Sequence, residues 1–481
     1  MEELVTEGLN ALQALGVDYG EVRAELRTEE NVSIKNREVD GLARRESRGV
    51  GIRVLQHGAW GFAATAETTK AGIARAARSA LAIARATATV QRKKVELAPE
   101  PAHQATFVSP VGRDPFAVSL EEKLDLLFSC ADRILAVPGV AMAKGAIASW
   151  RVDKVFGSTA GSLIRQTLTS CGAGIEAYAA AAGEFQRRSY PCSFGGDYAS
   201  AGYEFIEGLH LLDHATQIGE EAVALLTAPV CPTGTFDILL EGSQLALQVH
   251  ESVGHPTELD RVLGTELSYA GGSFLTPDKR GTFRYGSEIV NIVADATVPG
   301  GLGTFGYDDE GVPAQRVDLV KNGLFTGYLS SRDTARAVGI RRSSGAARAS
   351  SWARIPLVRM TNINLLPNEG TLEDLVRDTK HGILFATNKS WSIDDRRVNF
   401  QFGTEIAWEI ENGRRTRILK NPLYTGITPQ FWGSCVAIAG PAEWHMWGVP
   451  NCGKGEPSQV MQVGHGVAPA KFARVQVRGA G

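Results

Sequence analysis

Apolar residues at Leu4, Leu9, Leu12 and Leu15 give residues 1–15 a helical period. Residues 20–66 switch to period two. Glu21-Val22-Arg23-Ala24-Glu25-Leu26 alternates polar and apolar, as does Gly51-Ile52-Arg53-Val54-Leu55, so strands joined by turns are expected. Thr68 to Ala86 reads as an alanine-rich helix. Residues 92–115 hold four prolines and no clear period, which marks a linker or a surface strand. Ser119-Leu120-Glu121-Glu122 is a capping-box opening for a helix through Leu135. Strands follow from about 139 to 192, split at Gly157-Ser158-Thr159-Ala160-Gly161. Charged, aromatic and small residues alternate there, as in antiparallel strands covered on one face. A further helix is predicted from Tyr203 to Leu226.

The texture changes after Pro232. Phe236–Leu240 reads as a strand, Ser243–Val253 as a helix, and many short strands follow. Asn322-Gly323 and Asn412-Gly413 mark hairpins between alternating apolar runs. Thr371–Lys380 is the one other helix expected here, with His381-Gly382 at its C-terminal end. The fold class is α+β: an N-terminal mixed helix and antiparallel-sheet region, then a β-rich C-terminal domain with one helix near its start. Three segments are expected, an N-terminal α+β domain (1–90), a central α+β segment (91–230) and a β-rich domain (231–481).

Composition narrows the class. A chain of 481 residues is long for one domain. Its 43% hydrophobic and 21% charged residues are ordinary for a globular protein. A net charge of −3 gives no electrostatic case for nucleic acid or an acidic membrane. No apolar run approaches the roughly 20 residues that span a bilayer. Met1-Glu2-Glu3-Leu4 reads as the start of an amphipathic helix and not as a signal peptide, so a cytoplasmic protein is expected. Cysteines at 130, 171, 192, 231, 435 and 452 are too sparse for a disulfide scaffold.

The chemistry concentrates in Gln248-Val249-His250-Glu251-Ser252-Val253-Gly254-His255-Pro256. Hydrolytic zinc centres place two imidazoles on the metal and a carboxylate beside the attacking water. The familiar pattern has its histidines at i and i+4 on one helical face; here they stand at i and i+5. On a regular helix such residues point about 140° apart. The helix is therefore expected to break, or to turn widely, before His255, with Gly254 as a flexible position and Pro256 biasing His255 out of the helical region. A core helix end with two incidental histidines is the competing interpretation. His210 and His214, at i and i+4, are read as ordinary packing residues of the preceding helix.

Zinc needs a further ligand and an open position. Glu258, Asp260, the turn Asp308-Asp309-Glu310-Gly311 and Cys452 are the candidates, the acidic turn reading more simply as solvated. Cys452 lies in Pro450-Asn451-Cys452-Gly453-Lys454-Gly455, a polar glycine-rich stretch in which Lys454 would favour the thiolate. His445 and His465 flank it as supporting or substrate groups.

His250-Glu251-Ser252-Val253-Gly254-His255, Asp308-Asp309-Glu310-Gly311, Arg359-Met360-Thr361-Asn362 and Asn451-Cys452-Gly453-Lys454 together resemble the TldD branch of the TldD/PmbA family. The likeness runs over nearly the whole chain and is densest from about 236 to 468. One departure follows Cys452, where Gly455-Glu456-Pro457-Ser458-Gln459 replaces the usual Gly-Gln after the Lys. The resemblance implies a zinc metalloprotease acting on peptides or unfolded segments. It implies His250, His255 and Cys452 as metal ligands and Glu251 as general base. It also implies a two-subunit assembly, a homodimer or a heterodimer with a PmbA-like subunit of the non-catalytic branch. A His-His-Cys set leaves one position for water, and its thiolate makes a softer Lewis acid that leans on Glu251. Two rivals remain: a cysteine hydrolase with Cys452 as nucleophile and His250 or His255 as base, and a non-catalytic peptide-binding or maturation partner with structural zinc.

Overall fold

The computed structural model describes residues 1–479. The period-two stretches become strands far longer than the alternation suggested: Tyr19–Lys35, Glu38–Gln56, Val140–Ser158 and Leu163–Ala181, the last two of 19 residues each. They pair antiparallel at the centre of an eight-stranded sheet that draws on residues both before and after position 91. Within the proline-rich stretch, Gln104–Val108 forms a strand that adds parallel to Leu163–Thr167.

The apolar positions face helices. Val22, Ala24, Val50 and Ile52 pack under the helices Glu2–Leu15 and Lys70–Val90. Val32, Ile34, Ile147 and Ile175 pack under Leu120–Leu135 and Leu211–Thr227. The Ser119 side chain caps its helix as the sequence predicts, accepting from Glu122 N at 3.1 Å. At one end of the first two strands the polar positions are not solvated. Glu21, Arg23, Glu25 and Arg53 are all buried, because the C-terminal part of the chain covers that face.

What covers it is the turn Asp308-Asp309-Glu310-Gly311, a correction to the solvated turn expected. Asp308, Asp309 and Glu310 are buried. Lys154 lies 2.9 Å from Asp309, and Arg53 lies 2.6 Å from Glu310 and 2.9 Å from Glu21. A buried carboxylate persists when cations and N–H groups surround it; Arg332 N completes the set on Glu310 at 2.7 Å.

The helix predicted over 203–226 is two helices, Glu204–Gly208 and Leu211–Thr227. His210 sits between them with φ 51°, a left-handed conformation, so His210 and His214 do not share a helical face. His214 instead stacks on Tyr190. The helix near 371 is shorter than predicted, Leu372–Arg377, capped by a reciprocal Thr371–Asp374 box, and His381 opens the next strand.

The second half is β-rich. Five strands, Gly234–Leu240, Ala470–Gly479, Pro422–Ile427, Asn399–Glu411 and His381–Ile393, pair into a ring, since the last two also pair with each other. Both Asn-Gly turns close hairpins with positive φ at both residues, the geometry that matches strand twist. A separate hairpin, His445–Lys454 with Gln459–Val467, lies against the helix Gly242–Val249. Among the described residues no helix is long and apolar enough to cross a membrane.

Candidate metal centre

The strand Gly234–Leu240 runs directly into the helix Gly242–Val249, whose every residue is buried. Glu241 caps it, accepting from Ser243 N at 3.1 Å. The chain then does not break but takes the wide turn that the spacing calls for. His250–Gly254 forms one turn of π-helix, and His255 N donates to His250 O. A π turn holds more residues than an α turn, so it brings i and i+5 to one side. The two imidazoles meet edge to face, with ring centroids 4.9 Å apart and planes at 87°.

Two expectations are corrected here. His255 is helical, with φ −61° and ψ −43°, despite Pro256. Gly254 is also helical; it is glycine because Met360 packs on it, and a Cβ would lie 2.2 Å from Met360 Sδ. A π turn strands carbonyls that an α-helix would pair, and side chains take them up. Tyr285 OH donates to Ser252 O, while Thr257 Oγ1 donates to Val253 O and Gly254 O, each at 2.9 Å. Trp432 Nε1 and Gln248 Nε2 donate to Ser252 Oγ.

Cys452 arrives from the hairpin. It lies on the strand His445–Lys454 opposite Met461, not in an open loop, and is 3% exposed. One donor atom each from His250, His255 and Cys452 falls within 4.8 Å of the other two, the one such cluster of three or more His, Cys, Asp or Glu among the described residues. Cys452 Sγ is 3.8 Å from His255 Nε2. The other acidic candidates lie elsewhere: the 308–311 turn holds the N-terminal sheet, and Asp260 holds Lys454 at 2.6 Å.

The outer nitrogens of both histidines are already engaged. His255 Nδ1 is 3.0 Å from Glu258 Oε2, and His250 Nδ1 is 2.7 Å from His465 Nε2. Each therefore keeps Nε2 for the cluster, the arrangement by which metal-ligating histidines are fixed in tautomer and orientation. Burial keeps both imidazoles below their ordinary 6.5 and hence neutral. Burial raises the Cys452 thiol, but Arg359 and His255 outweigh it and the net shift is downward. Arg359 supplies that charge in place of Lys454, which pairs with Asp260 and Glu258 instead. Burial also opposes ionisation of Glu258, yet Lys454, His255 and Arg261 hold it well below the carboxylate range.

Glu251, the next residue after His250, points its Oε2 at Arg397 Nη1, 2.7 Å away. Sequence reasoning named His465 only as a flanking histidine and Arg359 only as part of a motif, and missed Arg397 and the part played by Glu258. The i to i+3 step from His255 to Glu258 was a usable signal; the others come from more than 90 residues away. His445 is not part of the cluster and pairs with buried Asp197 at 2.7 Å.

Models of three PmbA/TldA metallopeptidase domains match in order: domain 1 over residues 20–84, the central domain over 113–228 and the C-terminal domain over 233–479. The chain belongs to the PmbA/TldA metallopeptidase family. Within the family it is 28% identical to a metalloprotease of Methanocaldococcus jannaschii over 85% of this chain and 87% of that one. It is also 28% identical to a metalloprotease of Methanothermobacter thermautotrophicus over 96% of both. A zinc metalloprotease TldD homolog of Saccharolobus solfataricus is 26% identical over 40% of this chain and 42% of its own length. The same fold occurs in a Thermotoga maritima protein described as a candidate modulator of a DNA gyrase, with TM-score 0.80 and 18% identity over 99% of this chain and all of that one. It occurs also in TldE of Thermococcus kodakarensis, with TM-score 0.72 and 16% identity over the whole of both chains.

Proposed function

We propose that the protein is a zinc-dependent peptidase that hydrolyses peptide bonds in peptides or unfolded segments. One observation carries this: the π turn brings the donor atoms of His250 and His255 together with that of Cys452, and leaves Glu251 beside them. Two neutral imidazoles and a depressed thiol suit zinc, and three protein ligands leave a fourth position open. Zinc bound there would supply Lewis acidity, bringing the pKa of water toward neutrality and polarising a peptide carbonyl. Glu251 accepts the proton of the attacking water and delivers it to the leaving nitrogen. Glu258 and His465 orient the ligand rings. The ligands and Glu251 retain only 3–6% exposure, which suits entry of one extended strand and not of a folded protein. Residues 231–481 would carry the chemistry, with 1–90 and 91–230 as the two supporting segments. A second copy, or a PmbA-like subunit as the TldE-like fold suggests, would complete the assembly in the cytoplasm.

A second interpretation has one observation in its favour. Cys452 Sγ and His255 Nε2, 3.8 Å apart, could serve as a cysteine nucleophile and its base. That chemistry has no use for Glu251. The deciding experiment is zinc per chain and cleavage of fluorophore-labelled casein for wild type, Cys452→Ala and Glu251→Gln. About one zinc in the wild type, its loss from Cys452→Ala, and an inactive Glu251→Gln that keeps its zinc are expected. A chelator-resistant activity killed by thiol alkylation would replace the metallopeptidase with the cysteine enzyme.

A further inference from the structure

Glu251 is held by a single cation. Arg397 Nη1 donates to its Oε2 at 2.7 Å, and the two side chains are 12% and 8% exposed. The second carboxylate oxygen, Oε1, makes no hydrogen bond among the described residues. Arg397 reaches this position from a constrained turn. Its φ is 65°, a left-handed conformation that a non-glycine residue adopts only when its surroundings enforce it. Asp394 enforces it: its carboxylate accepts from Val398 N at 2.8 Å and Asn399 N at 3.0 Å, and its carbonyl accepts from Arg397 N at 2.9 Å. Thr428 Oγ1 donates to Arg397 O at 2.8 Å. This turn joins the strands His381–Ile393 and Asn399–Glu411 of the ring, so the guanidinium is delivered by the rigid part of the domain.

The guanidinium also meets the ligand-orienting network. Ala270 O accepts from Arg397 Nη2 at 3.4 Å and from Arg261 Nη1 at 2.7 Å. Arg261 Nε lies 3.4 Å from Glu258 Oε2, the oxygen that holds His255. Arg397 Nε is sealed from solvent with no partner among the described residues.

We infer that Arg397 is the positioning residue for the general base: it clamps Glu251 Oε2 in one rotamer, so that Oε1 alone is presented to accept the proton. The inference rests on the peptidase reading above. A carboxylate free to rotate would spend most of its time misaligned, and misplacing a catalytic group by about 1 Å costs on the order of a hundred-fold in rate.

The test compares full-length, zinc-loaded wild type, Arg397→Ala, Arg397→Lys and Glu251→Gln on fluorophore-labelled casein. Arg397→Ala is expected to lose roughly ten- to a hundred-fold in kcat with KM within about three-fold and with zinc content unchanged, since the clamp acts after substrate binding. Arg397→Lys, and millimolar guanidinium added to Arg397→Ala, should each restore part of the rate. Crystal structures of the metal-free wild type and of Arg397→Ala give a readout without turnover: Glu251 should occupy one rotamer in the first and several in the second. Should the alanine variant not fold, Arg397→Lys keeps the charge, and a kcat between those of wild type and Glu251→Gln supports the clamp. Glu251 unmoved in Arg397→Ala, or a kcat within two-fold of wild type, overturns it. Casein left intact by the wild type while Glu251 does move in Arg397→Ala would sink the peptidase reading and leave the clamp standing.

Discussion

Replacing Lys454 with Met tests the ion cluster behind the ligands. Lys454 is fully buried; its Nζ lies 2.6 Å from Asp260 Oδ1 and 3.5 Å from Glu258 Oε2, and it also donates to Val358 O. At an effective dielectric constant of about 20, charges 2.6 and 3.5 Å apart attract by roughly 6 and 5 kcal/mol. Desolvating three ions takes back several kcal/mol each, so the intact cluster contributes little net. The variant is different, because it leaves two buried carboxylates facing a thioether. Breaking a buried pair from one side costs about 3–5 kcal/mol. Two features keep Lys454→Met at the lower end, about 3 kcal/mol: Arg261 stays 3.4 Å from Glu258, and Asp260, which burial already pushes upward, can take up a proton. Glu258 would then grip His255 less firmly, and zinc affinity should fall about ten-fold. Urea unfolding of the metal-free protein reads the first effect, and competition with a chelator reads the second. Lys454→Met/Asp260→Leu should recover part of the stability, since one of the two orphaned carboxylates is gone. A Lys454→Met protein within about 1 kcal/mol of wild type and of equal zinc affinity would refute the reasoning.

Two other predictions concern packing and pH. Gly254→Ala keeps an allowed backbone but drives its Cβ to 2.2 Å from Met360 Sδ; overpacking of about 1–3 kcal/mol should exceed the roughly 0.5–1 kcal/mol gained in helix propensity. The metal-free Tm should fall, and Met360→Ala on the same chain should relieve the clash; a raised Tm would show that Met360 swings aside. Burial pushes Asp309 up, but Lys154 and Arg23 outweigh it and bring its pKa from 3.8 to about 2. Because the folded value is the lower one, this stabilisation, roughly 2 kcal/mol, is complete above about pH 4 and is lost as the pH falls toward 2. Between pH 5 and 3 the wild-type Tm should therefore drop more than that of Asp309→Asn, and parallel curves would count against the assignment.

The sequence carried the element types well where periodicity was strong. The long strands, the Ser119 cap and both Asn-Gly hairpins stand where local chemistry placed them. Local pattern misled wherever a distant partner decided the outcome. The burial of Glu21, Arg23 and Glu25 was not legible, because alternation says nothing about what packs on the polar side. Gly254 and Pro256 read as helix breakers, but the groups that donate to a π turn's displaced carbonyls, Tyr285 among them, are invisible in a local window. The spacing of His250 and His255 was legible as an anomaly, and a π turn is the solution that keeps both helical. Cys452 was legible through its glycine-rich surroundings, although these proved to be strand and bulge, not loop. Arg397 left no trace at all: its role depends on a left-handed turn 146 residues from Glu251.

The acidic turn 308–311 has a wider consequence. Its carboxylates belong to the C-terminal segment, but Arg23, Arg53 and Lys154 belong to the N-terminal sheet. Asp309 Oδ2 accepts from Ala349 N, and the adjacent Arg348 holds the carbonyls of Met360 and Gln462, next to the strand partner of Cys452. Severing the chain near residue 230 would thus strip the C-terminal piece of its counter-ions next to the strand that pairs with Cys452. The unit that folds is larger than the segment that carries His250, His255 and Cys452, and damage to a strand of the N-terminal sheet will be felt at that cluster.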